Sequence, residues 1–409
     1  MCPARLRVGI IAPPWVPVPP PSYGGTELVL DVLARGLARA GHEVVLFTTG
    51  DATCDVPRQW LFERCDPDRM GASVLELRHV AAAYHALRHC DLVHDHTLAG
   101  LFVSELYPQT PVVTTNHGPF NEDLVDIYRQ IVGRIPIIGI SRHQASTAPP
   151  EVPVAAVIHH GLDLDRYPYG PDGGDYLLAL GRMNHDKGID RAIDIARRAG
   201  MPLLIAAKMR EPAEQRYFAE VIEPHLDDRI RYVGEVGHAD KIRLLQGARA
   251  LLNPIRWPEP FGLVMIEALA CGTPVVTTNH GAAPEIVTHG ETGLLSDDDA
   301  ELVGAVLAVG ELSRAACRAR AEREFSAERM VTDHVAFFQM VVATRGRRVR
   351  IPATATASSA PPPALTPAAA TVAPPARSHF PVPVRAALTP AASTSAGPAA
   401  LVAAPRRLA

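Results

Sequence analysis

The sequence has no apolar run that approaches the roughly 20 residues of a membrane-spanning helix. Its charge is nearly balanced, with 40 basic and 44 acidic residues, so nothing indicates a nucleic-acid partner. The opening stretch MCPARLRVGIIAPPW has basic residues before an apolar run, as a signal peptide does, but that run is short and meets Pro13 and Pro14. We therefore interpret it as a first buried strand. We expect a cytoplasmic protein, with peripheral contact at the inner membrane face left open.

Cysteine is scarce, and no two cysteines have C-x-x-C spacing. Scattered thiols favour a reduced state in a cytosolic protein over a disulfide framework or a zinc site. His94 and His96 in VHDHT have a spacing that metal ligands can show, but no partner ligands are evident. We therefore favour a structural role for them and expect no metal. The six cysteines are Cys2, Cys54, Cys65, Cys90, Cys271 and Cys317.

Short apolar runs alternate with helical patterns along the first half of the chain. RVGIIA is typical of a buried strand, and TELVLDVLARGLARAG carries an apolar helical face. Continuous apolar strands separated by helices indicate a parallel sheet that is covered on both faces. The other strands predicted in this half are EVVLFTT, DLVHDH, PVVTTNH, PIIGIS and VAAVIHH.

The pattern restarts after LDLDRYPYGPDGGD, a turn-rich stretch that we interpret as an interdomain hinge. The sequence thus predicts an α/β protein of two Rossmann-like doubly wound domains, residues 1–165 and 172–325, that face each other across a cleft. Ligands are expected in that cleft, at the carboxyl ends of the strands. The strands predicted in the second half are YLLALGRM, PLLIAAKM, IRYVGEV, ALLNPI and a second PVVTTNH.

The composition changes abruptly at residue 345. Residues 351–409 contain 20 alanines and 12 prolines and have no aspartate or glutamate. Such a segment cannot bury enough apolar surface to offset the entropy of ordering. We predict a disordered tail over residues 345–409, and we favour a solvated tail over arginine contacts with an anionic membrane.

Two glutamates are eight residues apart in WPEPFGLVMIEALACGTPVV. With Pro260 in a first helical turn and Gly272 as a stop, FGLVMIEALA is predicted to be helical. Glu259 and Glu267 would then be separated by roughly 12 Å along the axis and turned about 80° apart. Glycosidase carboxylates are closer, at roughly 5 to 9.5 Å. This spacing favours two carboxylates that bind the separate rings of one nucleotide sugar over two that act as an acid–base pair.

Two cations lie in the loop of ALGRMNHDKGIDRA, after a predicted strand. Arg182 and Lys187 could converge on phosphate oxygens, one as a bidentate donor and the other as a compact charge. They would stabilise the negative charge that builds on a departing diphosphate. The plain alternative is two surface cations, one of them paired with Asp186.

Two further motifs follow predicted strands of the first half. In YGGTE, Gly24 and Gly25 permit backbone N–H groups to approach an anion at a helix N-terminus, although this is not the G-x-G-x-x-G dinucleotide fingerprint. In TTNHGPF, His117 could hydrogen-bond a sugar hydroxyl, with a merely satisfied strand-end histidine as the alternative.

Together these residues resemble the retaining glycosyltransferases of family 4, which have the GT-B fold. The matching segments are in the family's order and cover roughly residues 5–343. His160 in HHGLD departs from the family, which commonly has asparagine there, and this puts the local hinge contact in doubt. FSAERMVTDHVAFFQMVV, within residues 326–343, resembles the family's terminal helix, which returns to the first domain. The matching segments are YGGTE, TTNHG, GRMNHDKG, EPFGLVMIEALACGTPVV and APEIVTHGETGLL.

The resemblance implies a role for each matching residue. Residues 1–165 would form the acceptor side and residues 172–325 would bind the nucleotide sugar. Arg182 and Lys187 would bind the donor diphosphate, Glu259 the transferred sugar and Glu267 the ribose. His117 would lie beside the sugar. The residues with a catalytic role would then be His117, Glu259, Arg182 and Lys187. The remaining donor contacts would come from Gly24 and Gly25, which close over the donor, and from backbone groups of Phe261, Gly262 and Leu263.

The expected activity is therefore transfer of a hexose, with retention, from a UDP- or GDP-sugar to an acceptor. No cofactor besides the nucleotide sugar is expected, and the acceptor is left open among a lipid, a small metabolite and a polysaccharide. A nucleotide-sugar epimerase of similar fold is the nearest enzymatic alternative, and a non-catalytic sugar-nucleotide sensor is the alternative from another class. A glycoside hydrolase is least favoured because of the carboxylate spacing.

Overall fold

The computed structural model describes residues 5–22 and 24–345. Two separate sheets divide the described chain, and every strand pairing within them is parallel. The prediction of a two-sheet, doubly wound α/β fold is confirmed. Beyond Arg345, the predicted tail lies outside the described residues.

The first sheet has seven strands in the order β3-β2-β1-β4-β5-β6-β7. The order reverses at β1, and sheets of this kind bind ligands at the carboxyl edge beside such a reversal. Buried side chains pack on both of its faces. The strands are β1 (Arg7–Ile11), β2 (Glu43–Thr48), β3 (Arg58–Trp60), β4 (Leu92–Asp95), β5 (Val112–Thr115), β6 (Ile137–Gly139) and β7 (Val154–Val157). The helices are α1 (Gly25–Arg39), α2 (Ser73–Leu87), α3 (Ala99–Val103), α4 (Glu122–Ile131) and α5 (Arg142–Ser146).

The second sheet has six strands in the order β10-β9-β8-β11-β12-β13, with the corresponding reversal at β8. Its two faces also carry separate buried cores. The strands are β8 (Tyr176–Arg182), β9 (Leu203–Lys208), β10 (Ile230–Gly234), β11 (Ala248–Asn253), β12 (Val275–Thr277) and β13 (Gly293–Leu295). The helices are α6 (Ile189–Arg198), α7 (Pro212–Tyr217), α8 (His238–Gly247), α9 (Leu263–Ala270), α10 (Ala283–Ile286), α11 (Asp299–Ala308), α12 (Arg314–Glu324) and α13 (Ala327–Arg345).

The last helix, α13, packs on the first sheet's core rather than on the second. Phe337 and Phe338 are buried in the same cluster as Leu33 of α1. A Cβ on Gly36 would lie only 2.5 Å from Cγ2 of Val331, so the absence of a side chain allows α1 and α13 to approach closely. No helix within residues 5–22 and 24–345 is both long and apolar enough to cross a membrane.

The structure adds two strands that the sequence did not predict and shortens one predicted helix. The short strands β3 and β13 carry no long apolar run, and the sequence did not indicate them. The predicted helix from Phe261 begins only at Leu263, because Gly262 has a φ of 93° and breaks the helical path. Glu259 therefore precedes α9, and the separation calculated for a continuous helix does not describe its position relative to Glu267.

Candidate functional site

A cavity of about 410 Å³ opens between the two sheets. Loops at the carboxyl ends of the first sheet's strands form one wall, and loops after strands of the second sheet form the other. This is where doubly wound sheets bind ligands. The predicted site residues that line the cavity are Gly24, Gly25, His117, Lys187, Glu259, Phe261, Gly262, Leu263 and Glu267.

Arg182 is the predicted site residue that is not part of the cavity lining. At the end of β8, its Nε donates to Glu214 at 2.9 Å and its Nη2 donates to Glu211 at 2.9 Å. These glutamates begin α7, about one βα unit further along the chain. The sequence offered no reason to pair residues this far apart, and the assignment of Arg182 to a diphosphate stays a prediction.

Lys187 and Glu259 form an ion pair across two loops of the second sheet. Lys187 ends a short 3-10 turn that Asn184 caps and that Gly188, at a φ of 65°, terminates. The Lys187 and Glu259 side chains are 10% and 12% exposed, and Lys187 Nζ donates a hydrogen bond to Glu259 Oε1. Within the described chain, Glu259 Oε2 is buried without a hydrogen-bond partner. One carboxylate oxygen is thus left to accept a ligand hydroxyl.

A close backbone contact holds the loop that carries Glu259. A Cβ on Gly281 would lie 2.4 Å from the carbonyl oxygen of Glu259, and the neighbouring Ala282 N–H donates to that oxygen at 3.0 Å. Gly281 also has a φ of 60°, which favours glycine. Gly281 and Ala282 therefore hold the backbone of the loop from Trp257 to Gly262, and neither of them lines the cavity.

Two helices begin at the cavity, and neither has a side-chain cap. Gly24 precedes α1 and Gly262 precedes α9, and neither glycine has a side chain that could cap its helix. Such N-termini favour an anion. A Cβ on Gly25 would lie 3.2 Å from Cδ1 of Leu263, which shows that the two helix starts adjoin across the cavity.

Glu27 lies in the first turn of α1 and is buried. Burial raises the pKa of its carboxyl to about 7. A carboxyl that is partly protonated near neutral pH repels an anion at the start of α1 less than an ionised one.

Glu267 is held at the other side of the cavity. It lies within α9 and is 2% exposed. Its Oε1 accepts a hydrogen bond from Tyr167 Oη at 2.8 Å and another from Lys241 Nζ. Glu267 is thus held by two donors at one oxygen while its side chain lines the cavity.

His117 is half-buried and belongs to a group of histidines at the first sheet's carboxyl edge. Its Nε2 is 2.8 Å from Nδ1 of His96, and its ring stacks on His160 with centroids 5.4 Å apart. Burial, with a smaller contribution from His334, lowers the pKa of His117 to about 4. At neutral pH His117 is therefore uncharged and can hydrogen-bond a hydroxyl without carrying a positive charge.

His160 also lines the cavity, and its ring meets Phe261 edge to face at 4.9 Å. The position at which the sequence departs from the family pattern therefore contacts the loop from Trp257 to Gly262. Within the described residues, no group of three or more His, Cys, Asp or Glu side chains is arranged to hold a metal ion. His94 instead bonds Thr115 Oγ1 at 2.7 Å through Nε2.

Lys208 and Lys241 also line the cavity, and the sequence analysis did not predict them. Lys208 ends β9 and lies 3.3 Å from Glu211, and Lys241 bonds Glu267. The sequence contains a signal for them, since only three of its 40 basic residues are lysines. All three, Lys187 included, line this one cavity, whereas the other basic side chains of the chain are arginines.

Two family models match the chain, one for each sheet. The model described as "Glycosyltransferase Family 4" matches residues 23–166, and the model described as "Glycosyl transferases group 1" matches residues 168–323. Together they contain every predicted site residue.

Curated relatives include enzymes with different acceptors. A glycogen synthase of Mycobacterium tuberculosis is 36% identical over 181 residues, which are 41% of this chain and 43% of the relative, so the match spans under half of that protein. A phosphatidyl-myo-inositol mannosyltransferase of Mycolicibacterium smegmatis is 28% identical over 336 residues, which are 74% of this chain and 84% of the relative.

Solved structures show the same architecture. A glycosyltransferase involved in avilamycin A biosynthesis has 25% identity and a TM-score of 0.64, covering 83% of this chain and 98% of that one. Sucrose-phosphate synthase of Thermosynechococcus elongatus has 21% identity and a TM-score of 0.68, covering 83% of this chain and all of that one (100%). The second likeness shows the fold alone.

Proposed function

The chain belongs to glycosyltransferase family 4 and has the GT-B fold, and on that premise we propose that it moves a hexose from a nucleoside-diphosphate sugar to an acceptor with retention of configuration. The observation that carries the donor assignment is the distribution of charge along one cavity. Two ion pairs line this cavity, one between Lys187 and Glu259 and the other between Lys241 and Glu267. A nucleotide sugar has hydroxyls at both ends and a diphosphate between them.

The diphosphate would lie near Lys187 and the uncapped starts of α1 and α9. As the bond from the anomeric carbon to the phosphate oxygen breaks, negative charge grows on the leaving diphosphate. Fixed N–H dipoles and the Lys187 ammonium stabilise that charge more than they stabilise the ground state. Arg182 would join them once its guanidinium leaves Glu211 and Glu214.

The sugar would lie between Glu259 and His117. Glu259 Oε2 accepts a sugar hydroxyl, and neutral His117 hydrogen-bonds another without adding charge. Among the described residues that line the cavity, no side chain is placed as an obvious nucleophile, so the acceptor oxygen attacks the anomeric carbon from the face that the diphosphate leaves. The acceptor proton passes to the departing phosphate oxygen, which balances the exchange and retains the configuration.

We expect no metal or cofactor besides the nucleotide sugar, because Lys187, Arg182 and two helix N-termini can supply the positive field. UDP and GDP are the leading carriers. The acceptor stays open among a lipid, a small metabolite and a polysaccharide, and peripheral membrane contact at the inner face would suit the first of these. Family membership favours sugar transfer over the epimerase and sensor alternatives.

A donor screen tests the function. UDP- and GDP-hexoses are incubated with the protein, and binding and slow donor hydrolysis are measured for the wild type, Glu259→Gln and Lys187→Ala. We expect one nucleotide sugar to bind and to be hydrolysed slowly, with both variants impaired. Once an acceptor is found, NMR of the product's anomeric proton should show the donor's configuration. The proposal fails if no nucleotide sugar binds, or if both variants turn over donor at the wild-type rate.

A further inference from the structure

Tyr167 lies in the linker between the two sheets, and its side chain packs in the core of the second sheet, where it contacts the cavity residue Glu267. It follows the short 3-10 turn Leu164–Arg166, between the last strand of the first sheet and the first strand of the second. The side chain is buried at 2% exposure, and its hydroxyl donates to Glu267 Oε1 at 2.8 Å. A hundred residues separate these partners in the sequence.

Both hydrogen bonds to the Glu267 carboxylate go to the same oxygen. Tyr167 Oη and Lys241 Nζ both reach Oε1, and no described donor reaches Oε2. A carboxylate has about four acceptor sites, so Oε2 retains its capacity for ligand hydroxyls. Lys241 reaches Oε1 through a flexible four-carbon stem, whereas the Tyr167 ring is rigid. The tyrosine is therefore the partner that determines the angle of the carboxylate.

The ring itself is held on several sides. His238 meets the ring edge to face at 5.1 Å, and His238 Nε2 is 3.0 Å from the carbonyl oxygen of Arg166. Arg318 donates to the carbonyl oxygen of Tyr167 and to that of Ala270 at the end of α9. Burial raises the pKa of Tyr167 well above the ordinary value of a phenol, so the hydroxyl remains protonated.

We propose that Tyr167 is a positioning residue that orients Glu267 to accept a hydrogen bond from the 2′-hydroxyl of the donor's ribose. The proposal rests on the proposed function and on the contact between Glu267 and the ribose that the family resemblance implies. A phenol that only filled space would serve equally well as phenylalanine. The hydroxyl matters because a carboxylate that rotates freely loses the geometry that a ribose hydroxyl needs.

The test compares nucleotides that differ by one hydroxyl. Dissociation constants of UDP, GDP and their 2′-deoxy analogues are measured by calorimetry for the wild type, Tyr167→Phe and Tyr176→Phe. Tyr176 is the matched control, because its Oη also donates a 2.8 Å hydrogen bond, to the carbonyl oxygen of Leu244, and it does not line the cavity. Thermal melting checks that each variant is folded.

We expect the wild type to bind the ribonucleotide more tightly than its 2′-deoxy analogue. Tyr167→Phe should weaken binding of the ribonucleotide on the order of tenfold and change binding of the deoxynucleotide little, so that the preference falls. Tyr176→Phe should keep the wild-type preference. Tyr167→Phe should also raise the donor KM and leave kcat near the wild-type value.

Glu267→Gln provides a second variant that does not depend on Tyr167→Phe folding. It should lose the same preference, and the two substitutions together should cost less than the sum of their separate effects. The positioning role is overturned if Tyr167→Phe weakens both nucleotides equally, or if the wild type shows no ribose preference. Failure of the wild type to bind any of the four nucleotides would instead overturn the proposed UDP- or GDP-sugar donor, which separates the two failures.

Discussion

Replacing Lys187 with alanine removes the cation that neutralises Glu259. The two side chains are 10% and 12% exposed, and the second oxygen of Glu259 already lacks a hydrogen-bond partner among the described residues. Removing one partner of a buried ion pair typically costs 3–5 kcal/mol, because the other charge is left buried and uncompensated. Both side chains keep some contact with solvent in the cavity, so we expect the lower limit, about 3 kcal/mol of unfolding free energy.

Glu259→Gln distinguishes this cause from lost packing. With the carboxylate replaced by an amide, Lys187→Ala no longer leaves a charge unpaired. The double variant should therefore recover most of the stability that Lys187→Ala loses, with a coupling of about 2 kcal/mol in a double-mutant cycle. Urea unfolding followed by circular dichroism measures all four proteins.

Turnover should behave differently from stability. The Lys187 ammonium is assigned to the leaving diphosphate, and loss of one such group typically lowers kcat by about 100-fold or more. Glu259→Gln cannot replace that charge, so the stable double variant should remain impaired. Donor hydrolysis measured at saturating nucleotide sugar tests this separation.

Arg129→Ala is the control for simply losing an ion pair. Arg129 pairs with Glu151 on the surface, and both side chains are more than 40% exposed. Its loss should leave stability and turnover near the wild-type values. The reasoning about Lys187 is refuted if the double variant is as unstable as Lys187→Ala, or if it regains wild-type turnover.

Three further predictions concern charge and protonation. An anionic amine-reactive reagent should inactivate the enzyme by modifying the cavity lysines, and saturating nucleotide should slow that modification. Peptide mass mapping measures the labelling of each lysine, and equal labelling with and without nucleotide would contradict this prediction. Burial lowers the pKa of His79 from 6.5 to about 4, so the neutral ring is favoured in the folded state. The stability that this neutral ring contributes is complete above pH 6.5 and is lost as the pH falls towards 4. Over that range, the unfolding free energy of the wild type should fall by about 3 kcal/mol relative to that of His79→Gln. Urea unfolding at several pH values measures the loss, and parallel pH profiles of the two proteins would count against it. Arg182→Ala should lower kcat with little change in KM if Arg182 acts only as the diphosphate leaves, whereas unchanged kinetics would confine Arg182 to its pairing with Glu214.

Much of the cavity lining could be predicted because short motifs carry it. Lys187 and the loop from Glu259 to Gly262 follow apolar strands, and the carboxyl ends of such strands meet at one edge of a parallel sheet. The residue types at these points are chemically informative by themselves. The helix prediction over the same segment was less successful, because periodicity did not reveal that Gly262 takes a left-handed conformation and delays α9 to Leu263.

Contacts between distant segments could not be predicted in this way. Arg182 bonds Glu214 from the next βα unit, and Tyr167 bonds Glu267 across the hinge region. His160, treated as a local hinge residue, stacks on His117. Each of these pairs is separated by tens of residues, and no local pattern encodes which side chains the packing of two sheets brings within hydrogen-bond distance.

The sequence by itself determined the two series of buried strands, the order of the motifs and the residue types that a nucleotide sugar requires. These features are local, since strand burial and loop chemistry are written in runs of a few residues. Only the tertiary structure decided the pairing of Lys187 with Glu259, the neutral state of His117 and the support of Glu267 by Tyr167. Those properties depend on burial and on distances between separate segments, and both arise only when the two sheets close around the cavity.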